Sequence, residues 1–489
     1  MAASTVLLWP GVGLGSSIDS AVYVIAGSDI RAGLMPYRDL WDSKPPGAFL
    51  LNALGQSLLP WLEPWLVGWL LTVLFTGLSV LLVNLLLRRH LSAGAAWAWS
   101  LVACVVLASY PTALGGGLTE SFAVLPLVAA MYVLDARTPT WRTAVVIGFL
   151  LSCACLCSLQ CLPGVVCLGL ASTWGDRQVR LWVTQALALI AGAISLPLAV
   201  VGWLVSGGAI GDAVDQVVVF NLADREYGGQ LLTLLPVVCM LLFFFVVAAA
   251  VAVAAMAQQP RAFTRLYWSC LGWSVAYAAY IAYQGRLFLH FLILIGPPLV
   301  LLASLGVEEL RRRLRSPRLW VRRLAFGAAA VATVALLVSS GVAVPLNSMV
   351  IDGGRANAHL LDQTETWIQA ETPNSATMFV WGSRASLYLD AHRPRANRIV
   401  NDFPIVAAKY WTSDQTAALL EAWTASPPAI IVEGAATTPL LRPATAGRGA
   451  GQPDTVAVLR QFVRANYNLK ASFGDDLQFS DIYIYAWTD

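Results

Sequence analysis

Tyr37-Arg38-Asp39-Leu40-Trp41-Asp42-Ser43-Lys44-Pro45-Pro46-Gly47 sets two cations, two acids and two aromatics in eleven residues, between segments that otherwise read as membrane. Charge beside apolar helices at a bilayer surface is costly to bury, so such a stretch marks a functional loop. The chain has only three lysines, Lys44, Lys409 and Lys470, and arginine supplies nearly all the other positive charge. A lysine at this membrane-proximal position points to a compact ammonium being wanted there, although a single lysine also arises by chance.

Composition outside the loop sets the class. Of 489 residues, 58% are hydrophobic and 12% charged, and the mean hydropathy is +0.67. Soluble globular chains carry about 25% charged residues, so this is a polytopic membrane protein with some non-membrane mass. The net charge of +3 says little about partners, because the arginines are segregated by side. No basic stripe interleaved with aromatics is present, which argues against nucleic acid as a partner. Cys104, Cys153, Cys155, Cys157, Cys161, Cys167, Cys239 and Cys270 all fall in apolar runs. No His or acid accompanies the 153–161 group, so these read as small apolar residues at helix contacts rather than as a metal cluster.

A spanning helix needs about 20 mostly apolar residues. Candidates lie near 2–18, 64–87, 92–110, 118–135, 143–160, 162–175, 181–206, 233–257, 266–284, 287–305 and 323–345, about eleven in all. Pro163 lies between two of these runs, which predicts a tight or broken helix pair. Arginines mark alternate loops: Arg88 and Arg89, Arg137 and Arg142, Arg177 and Arg180, Arg261 and Arg265, and the cluster from Arg311 to Arg323. The positive-inside rule makes these loops cytoplasmic and places 19–63, 111–117, 206–232, 284–286 and everything after 346 outside. Met1 to Gly15 is short, contains Pro10 and has no positive flank. It reads as a first helix to about Ile18 rather than a cleaved signal peptide, whose charged n-region and cleavage site are missing. A start upstream of Met1 would also account for its shortness.

The outward loops hold the candidate site residues. Residues 19–33 have helical spacing, with Val22, Ile25, Ala26 and Ile30 on one side and Gly33 as a stop. Residues 47–60 read as a second short amphipathic helix at the interface. Asp19 falls where the first span leaves the membrane. Three glycines at 115–117 let the backbone pass close to another segment, and Glu120 follows at the start of a span. A first-turn acid complementing the helix dipole explains Glu120 as well as function does. Arg286 and His290 would suit an anionic headgroup; interfacial snorkelling of Arg286 and a packed His290 are the plainer alternatives. The loop at 206–232 reads either as a mobile amphipathic lid or as a solvated loop.

Several of these features resemble the C-type glycosyltransferase superfamily (GT-C). They are an Asp just after the first span and the run Gly33-x-x-Pro36-Tyr37-Arg38-Asp39 leading into Lys44-Pro45-Pro46-Gly47. The branch most similar to it holds the bacterial protein O-mannosyltransferases and lipid A aminoarabinose transferases. The resemblance spans about residues 1–345, and Gly117-Leu118-Thr119-Glu120 and the stretch from Arg286 to Pro298 add to it. It implies a fold of about eleven transmembrane helices and a polyprenyl-phosphate sugar as donor. Asp19 would be the catalytic carboxylate, and Glu120 would help hold the acceptor or a divalent ion. Arg38, Lys44, Arg286 and His290 would contact the donor phosphate, with Tyr37 and Asp39 shaping the loop. The resemblance fixes no cofactor and leaves a divalent cation open, which would sit at Asp19 and Glu120. One departure is Asp19-Ser20, where the family often has Asp-Glu.

Elementary chemistry agrees with that implication. A phosphate leaving group needs no strong general acid, so one carboxylate suffices to take the acceptor's proton. Nearby cations stabilise the departing charge, and an inverting single displacement follows. The reading is thus a plasma-membrane, multi-pass enzyme with an extracytoplasmic active site and membrane lipid around it. It would move a sugar to a glycan, lipid or protein acceptor. A lipid-linked saccharide flippase would predict internal repeats and mid-membrane charges, and neither is evident. A non-catalytic cell-envelope scaffold would predict that Asp19 and Lys44 tolerate substitution.

From about 346 the chain turns polar. Strands are predicted at 377–382, 429–433 and 481–487, and helices at 356–370, 413–425 and 455–466. Alternating helix and strand gives an extracytoplasmic α/β domain over 346–489. It either binds acceptor or glycan, or caps the cavity.

Overall fold

The computed structural model describes residues 5, 8, 18–173, 179–223, 264–284, 289–314, 358–382, 384–407, 409–434, 440–441, 454–474 and 481–488. The expected spans near 2–18, 233–257 and 323–345, and Arg286, lie outside the described residues.

Among the described residues up to 314, the regular elements are all helices. They begin with α1 (Ile18–Arg31), the loop 32–46 and α2 (Gly47–Leu58). Three described helices are long and apolar enough to cross a bilayer: α3 (Pro64–Leu87), α5 (Thr119–Ala136) and α8 (Val179–Ser206). Shorter apolar helices lie between and after them: α4 (Ala93–Ala108), α6 (Trp141–Cys157), α7 (Leu162–Thr173), and α10 (Leu292–Leu314), which is apolar from Leu292 to Glu308. The helix α9 (Thr264–Gln284) packs between α7 and α10.

Local chemistry explains the ends. The Ser92 side chain caps α4, and Thr140 with Thr143 forms a reciprocal capping box for α6. The broken pair expected at Pro163 is present: α6 stops at Cys157, a 3₁₀ turn spans Leu159–Cys161, and α7 begins at Leu162. Small residues bring α6 and α8 together. A Cβ on Gly148 would lie 2.1 Å from the Leu189 carbonyl oxygen, and one on Gly192 would lie 2.2 Å from that of Val145. In lipid, where apolar burial drives little helix association, backbone contact of this kind supplies the packing.

The polar part folds round a four-stranded sheet in the order β1-β2-β4-β3, with β1 (Met378–Gly382), β2 (Ile430–Gly434), β3 (Tyr467–Phe473) and β4 (Ile482–Trp487). β1 and β2 are parallel, so the chain must cross over between them; the helix α11 (Ser413–Ala425) lies on that crossover. β4 pairs antiparallel with both β2 and β3. Three of the four strands follow from alternating aliphatic and aromatic runs. β3 is the strand that sequence pattern missed. Its Asn468, Leu469 and Lys470 are all exposed, as befits an edge strand blunted by a charge. Helices are present at 358–371, Ser413–Ala425 and Asp454–Asn466.

One expectation is corrected. Within the described part of 206–232, residues 210–223 are not a plain solvated loop. They form a short helix with one π turn at Asp215–Val219, docked by buried Ala213, Gln216 and Phe220. Val214, Val218, Val219 and Leu222 point outward. Of the segment's described polar residues, Asp212 and Asp215 bond to the C-terminal domain and Asn221 to the loop 32–46.

Candidate active site

The loop between α1 and α2 is held by its own side chains. Tyr37 is fully buried and sits at φ +70, a strained conformation for a non-glycine residue. Its amide donates to the Leu40 carbonyl (2.8 Å) and its hydroxyl to the Lys44 carbonyl (2.8 Å). Asp39 accepts from the Met35 amide at 2.8 Å. Asp42 Oδ1 accepts from the Lys44 amide at 2.7 Å, an Asx turn two residues long. Buried Pro45 and Pro46 then launch α2.

This geometry fixes Asp42 and Lys44 relative to each other. Both are half-buried, and no ion pair to Lys44 occurs among the described residues. Burial pushes the Asp42 carboxyl up to about 7; the Lys44 amide and ammonium pull it down, and the charge of Asp19 pushes it up further. Asp19 and Lys44 are therefore both within electrostatic reach of Asp42. Asp19 itself is exposed in the first turn of α1, open to a substrate.

Glu120 lies in the first turn of α5. The loop before it runs through Gly115, Gly116 and Gly117, all at positive φ. Gly117 donates its amide to Thr72 Oγ1 at 2.7 Å, and a Cβ there would lie 2.5 Å from that of Ser20. Only glycine lets this backbone lie against the residue next to Asp19. Glu120 is 2% exposed and accepts from Ser158 Oγ at 3.4 Å. Buried Tyr23 on α1 feels the charges of Asp19, Asp42 and Glu120 together. A small cleft lies beside Ser20, between Trp65, Trp69 and the three glycines.

The other expected donors are placed differently. Arg38 spends its guanidinium on Asp39 (Nε 2.9 Å, Nη2 2.7 Å) and on the Gly207 carbonyl (Nη1, 2.8 Å), so in this conformation it ties the loop to the end of α8. His290 is half-buried in a 3₁₀ turn, edge-on to Phe291 at 5.0 Å. Among the described residues no group of three His, Cys, Asp or Glu side chains converges as a metal site.

Asp42 is the residue that sequence reasoning passed over. The available signal was its position two before Lys44, the spacing of an Asx turn. Its raised pKa has a consequence for stability. An unfolded aspartate ionises near 3.8, whereas the folded Asp42 holds its proton to about 7. Between those values the folded chain binds the extra proton, so this group's contribution falls as pH rises towards 7 and is flat above it. Partial exposure limits the effect to about 1–2 kcal/mol. Asp42→Asn, which keeps the Oδ1 acceptor, is expected to raise the thermal midpoint at pH 8. It should also flatten the decline between pH 5 and 7.5 in detergent melts. An unchanged slope would mean Asp42 is not the group responsible.

No protein family matches the sequence, and no curated protein does. Solved structures do match. The chain superposes on ArnT from Cupriavidus metallidurans, solved bound to undecaprenyl phosphate, with a TM-score of 0.56 at 14% identity, over 99% of this chain and 96% of that one. The apo form of the same protein gives 0.54 at 13% identity, with the same coverage. An Archaeoglobus fulgidus oligosaccharyltransferase is more distant, at 0.45 and 14% identity over 88% of this chain and 68% of that one. The chain thus shares the fold of ArnT.

Proposed function

From that shared fold, we propose that the chain is a membrane glycosyltransferase that takes a sugar from a polyprenyl-phosphate donor. The observation that carries the reading is the strained loop that holds Lys44, its amide bonded to Asp42 Oδ1 at 2.7 Å, next to a helix with Asp19 exposed in its first turn. ArnT, which has this fold, was solved bound to undecaprenyl phosphate.

Asp19 is the base. An acceptor hydroxyl attacks C1 of the sugar, its proton passes to the Asp19 carboxylate, and the C1–O bond to phosphate breaks with inversion. The electron pair leaves on the polyprenyl phosphate, whose charge Lys44 stabilises where it develops. Arg286 and His290 are further candidates for that phosphate. Arg38 could join only by giving up Asp39 or Gly207. Asp42 holds the Lys44 backbone in place and adds a second carboxyl beside the base. A divalent cation between Asp19 and Glu120 is a variant of this reading. The acceptor is a glycan, lipid or protein. The active site faces away from the cytoplasm, as suits a lipid-linked donor.

Amine labelling tests the donor directly, because the chain has only two other lysines, the exposed Lys409 and Lys470. Undecaprenyl phosphate is expected to protect Lys44 from acylation, read by peptide mass spectrometry, and to leave the other two unchanged. Equal labelling of all three with and without the lipid would argue against the reading.

A further inference from the structure

Gln216 is fully buried and spends both ends of its amide on the site loop, although it lies far away in sequence. Its Nε2 donates to the Tyr37 carbonyl at 2.8 Å, and its Oε1 accepts from the Asp42 amide at 3.1 Å. An amide side chain offers a donor and an acceptor on two separate atoms of one uncharged group. It sits on the π turn Asp215–Val219, a distortion often used to re-aim a side chain.

Neighbouring contacts bind the same loop to the C-terminal domain. Arg398 Nη1 donates to Asp212 Oδ1 at 2.7 Å and reaches the Tyr37 carbonyl at 3.4 Å. The Arg398 carbonyl accepts from the Trp41 amide at 2.8 Å. The Tyr410 hydroxyl donates to Asp215, one residue before Gln216. Tyr410 also stacks edge-on with Phe220 at 4.9 Å, and Phe220 packs edge-on against Trp41 at the same distance. Asn221 Nδ2 donates to the Ser43 carbonyl at 2.8 Å. Backbone groups of residues 37, 41, 42 and 43 are thus all held from outside the loop.

We propose that Gln216 is a positioning residue for Asp42 and Lys44, and that docking of the C-terminal domain sets the active-site loop through the segment that carries it. The effect on rate rests on the glycosyltransferase reading; the hold on the loop does not. Misplacing a catalytic group by about 1 Å costs on the order of a hundredfold, and a backbone group that loses its buried partner opens more often.

The test uses the full chain in detergent, with Gln216→Met, Tyr410→Phe and the double variant. Two quantities are read: hydrogen exchange of peptides covering 37–44, and transfer kinetics with the active donor. Gln216→Met is expected to speed exchange in 37–44 about tenfold or more, with α3 and α5 unchanged. It should lower kcat about 10- to 100-fold and change the donor KM less than about threefold. Tyr410→Phe should act in the same direction, and the double variant should lose less than the product of the two. Unchanged exchange, or exchange that rises throughout the protein, would overturn the positioning role. Losses that multiply would overturn the link to the C-terminal domain. A wild type that transfers from no donor would sink the enzymatic reading alone, and exchange would still decide the hold of Gln216.

Discussion

Asp19→Asn is expected to lower sugar transfer about a thousandfold, the scale on which a general base contributes. The substitution keeps the side chain's shape and removes only its capacity to take a proton. Asp19 is exposed in the first turn of its helix, so fold stability has little at stake. The thermal midpoint should therefore stay within a few degrees of wild type, as for most exposed substitutions. Undecaprenyl phosphate should still protect Lys44 from labelling, because the phosphate contact is separate from the base. A kcat loss with retained donor binding is the signature of an interaction made only on the way to the transition state.

Lys44→Ala should produce the second largest loss, about a hundredfold or more in kcat/KM, because in the proposed mechanism it removes the cation that stabilises the departing phosphate. The backbone would be little disturbed. The Lys44 amide and carbonyl, not its side chain, bond to Asp42 and Tyr37. Lys44→Arg should recover only part of the rate, since the guanidinium is longer and planar where a compact ammonium sat. Steady-state transfer by the three proteins checks this. Full activity in Lys44→Ala would remove the phosphate assignment.

Why the sequence showed some of this and not the rest has a physical explanation. The helices α3, α5 and α8 are continuous apolar runs, and Thr412 with Gln415 caps α11 where the pattern begins. Those signals are local. The stretch Tyr37–Gly47 stood out because its charges have no place in a membrane. Asp42 did not stand apart within it, because its raised pKa comes from burial, which neighbours distant in sequence complete. Gln216, in Val214-Asp215-Gln216-Val217, has no motif around it; its importance lies in two hydrogen bonds made across the fold. Arg38 read as a phosphate donor by charge alone, while the structure gives it Asp39 and Gly207. Trp41 and Phe220 share an apolar cluster with Phe379, Trp381 and Trp423 of the C-terminal domain, a contact no local pattern announces.

The most direct measurement is transfer of radiolabelled sugar from a panel of polyprenyl-phosphate monosaccharides, with native membranes supplying acceptors. Wild type, Asp19→Asn and Lys44→Ala would be compared at matched expression. The account predicts transfer from at least one donor by the wild type, loss of about a thousandfold in Asp19→Asn and about a hundredfold in Lys44→Ala. Transfer that survives unchanged in Asp19→Asn, or equal activity in all three proteins, would contradict it.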